Sequence, residues 1–139
     1  MSLTKLQAYL TMFLFLNWLW ESDKEQLGDE YTDLLSEMNP YNQLLYTWYP
    51  KENAYRPMLY IDWLNRCNLE NINLIPINTL YEHIRCYLQY WNNRNRHLEI
   101  LQALAYMAEN TENLKMRLEE LGQQVIDNDI DSTPFRLMT

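Results

Sequence analysis

The chain has 139 residues, with 11 basic and 19 acidic side chains and a formal net charge of −8. This length predicts one domain with a substantial core. The acidic balance argues against binding to nucleic acid or to an anionic membrane surface, because both need clustered lysine and arginine; it favours a basic protein partner. Leucine is abundant whereas valine occurs once, so the composition favours helices over strands, and we expect an all-α fold.

The first predicted helix, Leu3 to Trp20, is apolar around nearly its whole circumference. Such a helix is either buried centrally or placed in a membrane. Thr4 and Gln7 have the spacing of a capping box, which begins a helix. The run is shorter than the ~20 residues of a spanning helix, is interrupted by Thr11 and Asn17, and precedes no signal-peptide cleavage site. We expect a buried helix at the centre of five to six helices; a membrane or targeting segment is the alternative.

The second predicted helix, Asp23 to Met38, has apolar residues at steps of three and four. Asp29, Asp33 and Glu37 lie at successive steps of four and therefore form one acidic stripe. This stripe is a candidate site for a basic partner, and a merely solvated face is the alternative. Carboxylates that face water lack the shifted pKa that general acid–base catalysis needs, so we do not expect an enzyme.

An aromatic-rich connection, Tyr41 to Arg56, follows the second helix. Tyrosine and tryptophan are favoured anchors at protein interfaces. We expect Tyr46, Trp48 and Tyr49 to lie beside the acidic stripe and to contact a partner. The alternative is a loop or short helix whose rings cover the core.

The remaining chain predicts three or four more helices. A third helix is expected from Pro57 to about Cys67, followed by an irregular crossing over Asn68 to Asn78 that could hold a short strand without an obvious partner. Thr79 and Glu82 form another capping box, which begins a fourth helix. The apolar phase slips near Thr111, so the sequence predicts two separate helices on either side of that residue.

The residues of catalytic and metal sites are scarce. The chain has two cysteines and two histidines, and His83 and Cys86 share helical spacing without a third ligand, so we expect no metal and no cofactor. A secreted scaffold of this size would carry more cysteines. We therefore expect Cys67 and Cys86 to be reduced, each packed as a small apolar residue, in a cytoplasmic protein.

Several short motifs recur in a recognisable order. They are Ala8-Tyr9, Met12 and Phe15-Leu16, then Leu34-Leu35-Ser36 with Met38, then Asp62-Trp63-Leu64. In this pattern the chain resembles a family of small bacterial proteins, many of unassigned function and some labelled immunity proteins of contact-dependent growth inhibition systems. The resemblance covers residues 1–68, while 79–139 would add helices to a single domain spanning 1–139. It implies a protein that binds and neutralises a cognate toxin.

Three functions therefore remain open. The first is an immunity protein whose acidic surface meets a toxin domain, for example a basic nuclease, and gains association rate from complementary charge. The second is a phage- or plasmid-borne acidic inhibitor of another basic target. The third is a structural or adaptor subunit that binds a partner protein through its aromatic segment, with charge serving only solubility.

Overall fold

The N-terminal helix α1, Lys5–Ser22, begins at the predicted capping box and lies at the centre of the core. In this computed structural model, which describes residues 1–22, 33–95 and 98–128, Gln7 N donates to Thr4 Oγ1 at 3.1 Å. Thr4 N donates in turn to Gln7 Oε1 at 2.9 Å, so both free amides are satisfied. Ten of the 18 residues of α1 are buried, which confirms the predicted central helix.

Five further helices pack around α1 in the described ranges. They are α2, described over 33–38, α3 (Met58–Arg66), α4 (Ile77–Asn95), α5 (Leu98–Glu109) and α6 (Thr111–Asp127). The predicted third helix and the break before Thr111 are confirmed. The predicted start of the fourth helix is wrong, because Thr79 lies inside α4 and its hydroxyl donates to Pro76 O at 2.8 Å. Residues 23–32 of the second predicted helix lie outside the described residues.

Two small antiparallel sheets accompany the helices. β1 (Ser2–Thr4) pairs with β4 (Leu74–Pro76), and β2 (Tyr46–Tyr49) pairs with β3 (Ala54–Pro57). The sequence predicted a possible strand in the irregular crossing but no partner for it. That strand is β4, and its partner is β1, part of which was predicted as helix. The segment predicted as a loop or short helix is a hairpin, whose turn places Asn53 in the left-handed region at φ 51°. Asparagine tolerates that conformation better than most residues.

One hydrophobic core joins the two halves of the chain. Its buried residues run from Leu3 to Val125, and α1 packs most extensively against α6. The Tyr9 ring meets the rings of Tyr60 and Trp63 at centroid distances of 5.6 and 6.1 Å. The described chain is therefore a compact, mostly helical single domain, as the sequence predicts. Over the described ranges, no helix has both the length and the apolar character needed to cross a bilayer.

Candidate partner-binding surface

The acidic stripe is described at two of its three predicted members. Asp33 and Glu37 are both exposed on α2, one turn apart, whereas Asp29 lies outside the described residues. The opposite side of α2 is fixed to the core by Leu34 and Met38, which are 3% and 0% exposed. These two carboxylates therefore face water on a helix whose orientation is set by packing.

Tyr49 is held inside the fold. Its side chain is 4% exposed, and its ring meets Tyr60 edge to face at 5.9 Å. Burial raises the pKa of its phenol, with the charge of Glu70 adding to the effect. Tyr49 was predicted to anchor a partner, but its place in the core removes it from the outer surface, so we assign it to the fold.

Tyr46 also has a structural role. It is half-buried, and its hydroxyl donates to Pro40 O, which ties β2 back to the chain that follows α2. Burial raises the pKa of Tyr46 well above its ordinary value, so the hydroxyl keeps the proton it donates. This contact joins the hairpin to the segment that directly follows the acidic helix.

A half-buried ion pair fixes the other strand of the hairpin. Arg56 Nε donates to Glu52 Oε1 at 2.9 Å, and Arg56 Nη1 donates to Tyr55 O at 3.0 Å. The second Glu52 oxygen accepts a hydrogen bond from the Tyr60 hydroxyl on α3. Lys51, in the turn, pairs with Glu70. The hairpin is therefore attached to the domain at both its turn and its strands.

Trp48 is the predicted anchor that the hairpin leaves on the surface. It is 47% exposed and lies directly across the hairpin from Tyr55, which is 62% exposed. The two rings meet at a steep angle, with centroids 5.1 Å apart. We call Trp48 and Tyr55 the aromatic pair. The strand pairing that brings Tyr55 beside Trp48 was not predicted, although Tyr, Thr and Trp around a Pro-to-Asn turn are signals of a hairpin.

An open groove of about 440 Å³ connects the two predicted regions. Its lining residues come from α2, α3 and α4: Glu37, Met58, Leu59, Asp62, Trp91 and Arg94. Glu37 belongs to the acidic stripe, and Met58 directly follows β3. The groove therefore runs from the acidic helix to the base of the hairpin. We call it the α2–α4 groove.

The wall between α3 and α4 is built from polar and aromatic contacts that the sequence analysis missed. Asp62 Oδ2 accepts from the Tyr87 hydroxyl at 2.8 Å, and Asp62 Oδ1 lies 3.5 Å from Arg66 Nε. The Arg66 guanidinium lies 4.5 Å from the centre of the Tyr90 ring, and Arg94 lies 5.9 Å from that of Trp91. The spacing of Trp91 and Arg94, one turn of helix apart, is the local signal that could have indicated part of this wall. The contact of Arg66 with Tyr90 joins two helices and has no such signal.

The candidate surface combines charged, aromatic and apolar side chains. Among the residues that the structure describes, no group of three or more His, Cys, Asp or Glu side chains could hold a metal ion. Together the groove and the aromatic pair present two carboxylates, the Arg94 guanidinium, aromatic rings and a thioether. Such groups suit recognition of another protein.

Comparisons with known proteins give no relative. No model of a protein family matches the chain, and neither the curated proteins nor the solved structures contain a match. The resemblance to immunity proteins therefore stays a prediction carried by the motifs named above. In the structure those motifs are packing residues: Tyr9, Phe15, Leu16, Trp63 and Leu64 are each fully buried.

Proposed function

We propose that this chain is an immunity protein that binds a cognate bacterial toxin domain stoichiometrically and blocks it without chemical conversion. It would act in the cytoplasm of the cell that makes it. The observation that carries the proposal is the exposed aromatic pair, Trp48 and Tyr55, on a hairpin that buried contacts fix in place.

The aromatic pair supports a protein partner because both rings lie outside the hydrophobic core. Core packing explains why Tyr49 and Tyr60 are buried, whereas Trp48 and Tyr55 expose large rings at a cost in solvation. Fixed aromatic side chains bury much surface and lose little conformational freedom on binding. The hydrogen bond from the Tyr60 hydroxyl on α3 to Glu52 attaches the hairpin to the domain and reduces that entropic cost further.

The charge of the surface indicates what kind of partner would bind. Asp33 and Glu37 are exposed, and Glu37 also lines the α2–α4 groove. In a chain of net charge −8 these carboxylates would attract a basic surface, such as the substrate-binding face of a nuclease toxin. A partner that covers the groove would contact Glu37 and Met58 together, with the aromatic pair at the end of the same surface.

An adaptor role is the second candidate, and the same aromatic pair favours it. In that case a partner chain would bind Trp48 and Tyr55, and the acidic residues would serve solubility alone. The two candidates differ in what neutralising Asp33 and Glu37 does. Toxin binding predicts a slower association, whereas an adaptor of this kind predicts no change.

The test is co-expression of the chain with a toxin encoded beside its gene. We expect the parent to protect cells and to purify as a 1:1 complex whose mass is measured by light scattering. Trp48→Ala should lower protection, while Tyr106→Ala, which removes an exposed ring from α5, should protect like the parent. A parent that neither binds nor protects against neighbouring toxins would contradict the immunity proposal.

A further inference from the structure

The two cysteines of the chain, 19 positions apart, come together in the fold. Cys67 directly follows α3 and is 8% exposed, whereas Cys86 lies on α4 and is exposed. The Cys67 thiol donates to His83 O at 3.5 Å. Cys86 lies one turn after His83 on the same side of α4, which turns its side chain towards the end of α3.

The electrostatics of Cys67 support this proximity. Burial raises its pKa well above the ordinary value, and interaction with the Cys86 thiol raises it further. The expectation that each cysteine packs separately as a small apolar residue is therefore wrong for Cys86, which is exposed and neighbours the other thiol. In the structure both thiols are free.

Two contacts beside this position already join the helices that carry the thiols. Tyr87 binds Asp62 through its hydroxyl, and Arg66 lies over the Tyr90 ring. We call this line of contacts the α3–α4 seam. The seam fixes α3 against α4, and the Cys67 thiol contacts the turn of α4 that precedes Cys86. This contact is the geometric basis for a link between the two sulfur atoms.

We propose that Cys67 and Cys86 form a redox-active thiol pair, which a peroxide converts reversibly into an intramolecular disulfide across the α3–α4 seam. Formation of this disulfide does not require a bound toxin. It assigns the cysteines a role that the sequence does not suggest, because neither residue belongs to a Cys-x-x-Cys motif.

The exposure of the two residues sets the order of the steps. Peroxide reaches Cys86 first and oxidises its thiol to a sulfenic acid, releasing one water. The buried Cys67 thiol then loses its proton and its sulfur attacks the Cys86 sulfur, forming the S–S bond; that proton and the sulfenic hydroxyl leave as a second water. The raised pKa of Cys67 slows this second step. The two electrons lost by the thiols reduce the peroxide. A dithiol reductant reverses the reaction by thiol–disulfide exchange.

The bond would also constrain the α2–α4 groove. Met58 and Asp62 line it from α3, and Trp91 and Arg94 line it from α4. A covalent link between these helices closes a loop in the unfolded chain and fixes two walls of the groove in the folded one. We expect the oxidised protein to melt at a higher temperature than the reduced protein.

The experiment treats the reduced full-length chain with hydrogen peroxide, denatures it, and alkylates the remaining thiols before mass spectrometry. The expected product is a monomer two hydrogens lighter that takes up no alkylating reagent and yields a peptide linking Cys67 to Cys86. Dithiothreitol should restore two alkylation sites. Two free thiols after peroxide treatment, covalent dimers, or a linked protein that melts below the reduced one would each overturn the proposal.

Cys86→Ser is the matched control, since the residue is exposed and the variant should fold. After peroxide treatment it should contain no internal disulfide, and its melting temperature should not rise. A Cys67→Ser variant is not needed, because its buried site could prevent folding. The linked peptide in the parent chain shows by itself whether the disulfide forms. A rise in melting temperature of the same size in Cys86→Ser would show that the disulfide is not its cause.

Discussion

The Tyr87 hydroxyl on α4 donates a hydrogen bond to Asp62 Oδ2 on α3 at 2.8 Å. Burial raises the pKa of Tyr87 far above its ordinary value, and the Asp62 carboxylate adds to that rise, so the phenol remains a donor. Asp62 belongs to the Asp62-Trp63-Leu64 motif, and this contact joins α3 to α4.

Tyr87→Phe should lower the free energy of unfolding by about 1–2 kcal/mol, because it removes a charge-assisted hydrogen bond and leaves the ring in place. Chemical denaturation measures this loss. Tyr55→Phe is the control, since its ring is 62% exposed, and it should change stability by less than about 0.5 kcal/mol. Equal stability of the two variants would contradict a stabilising role for the Tyr87–Asp62 bond.

Phe15→Ala tests whether α1 is the centre of the core. The Phe15 side chain is fully buried and lies 6.2 Å, centroid to centroid, from the Tyr81 ring. Its truncation should leave a cavity and cost about 3–5 kcal/mol, seen as a lower denaturation midpoint. Leu44→Ala, at a side chain that is 93% exposed, should leave the midpoint almost unchanged. A midpoint for Phe15→Ala equal to that of Leu44→Ala would show that α1 is not central.

Acid should destabilise the fold partly through His83. Burial lowers the pKa of His83 below its ordinary value, and the charge of Glu82 opposes this only in part. As the pH falls through about 6.5, the unfolded chain takes up a proton on this residue that the folded chain does not, so stability is lost. Above that pH the residue is neutral in both states and contributes nothing to the dependence.

The measurement is the urea midpoint between about pH 7.5 and pH 5.5, compared between the parent and His83→Gln. The parent should lose more stability than the variant over this interval. The Cys67 contact does not confound the comparison, since it is made to the His83 carbonyl and survives the substitution. An equal loss in both proteins would show that His83 does not titrate with folding.

Local signals predicted most of the fold. The Thr4–Gln7 capping box begins α1 because both partners lie within one turn, and the phase slip at Thr111 predicts a break because a helix has only one buried face. The pairing of β1 with β4 could not be predicted in this way. Leu3 lies opposite Ile75 across some 70 residues, and no local pattern records such a register.

The candidate site was predicted less completely, for two physical reasons. Trp48 and Tyr49 are adjacent and chemically alike, but successive side chains of a strand point to opposite faces. Only the packing of one face of β2 on the core decides that Tyr49 is buried while Trp48 is exposed. The α2–α4 groove needs three helices to be docked before Glu37, Asp62 and Trp91 share one surface. Composition indicated the kind of surface, while its location depends on tertiary packing.

Charge and aromatic contacts should have separate kinetic effects on toxin binding. The double substitution Asp33→Asn with Glu37→Gln should mainly slow association and weaken its dependence on salt, because exposed carboxylates act through long-range steering. Glu112→Gln with Glu119→Gln removes the same charge from exposed positions of α6. This control should slow association less. Equal effects of the two double variants would mean that only net charge matters.

The most direct test of the proposed interface is the dissociation rate of Trp48→Ala from the purified toxin complex. The side chain is 47% exposed in the free chain, so its truncation should leave the fold intact, which circular dichroism verifies. A desolvated aromatic anchor predicts a loss of about 2 kcal/mol or more in binding, seen mainly as dissociation about 30-fold faster or more. A folded Trp48→Ala chain that dissociates as slowly as the parent, and protects cells equally well, would contradict the account.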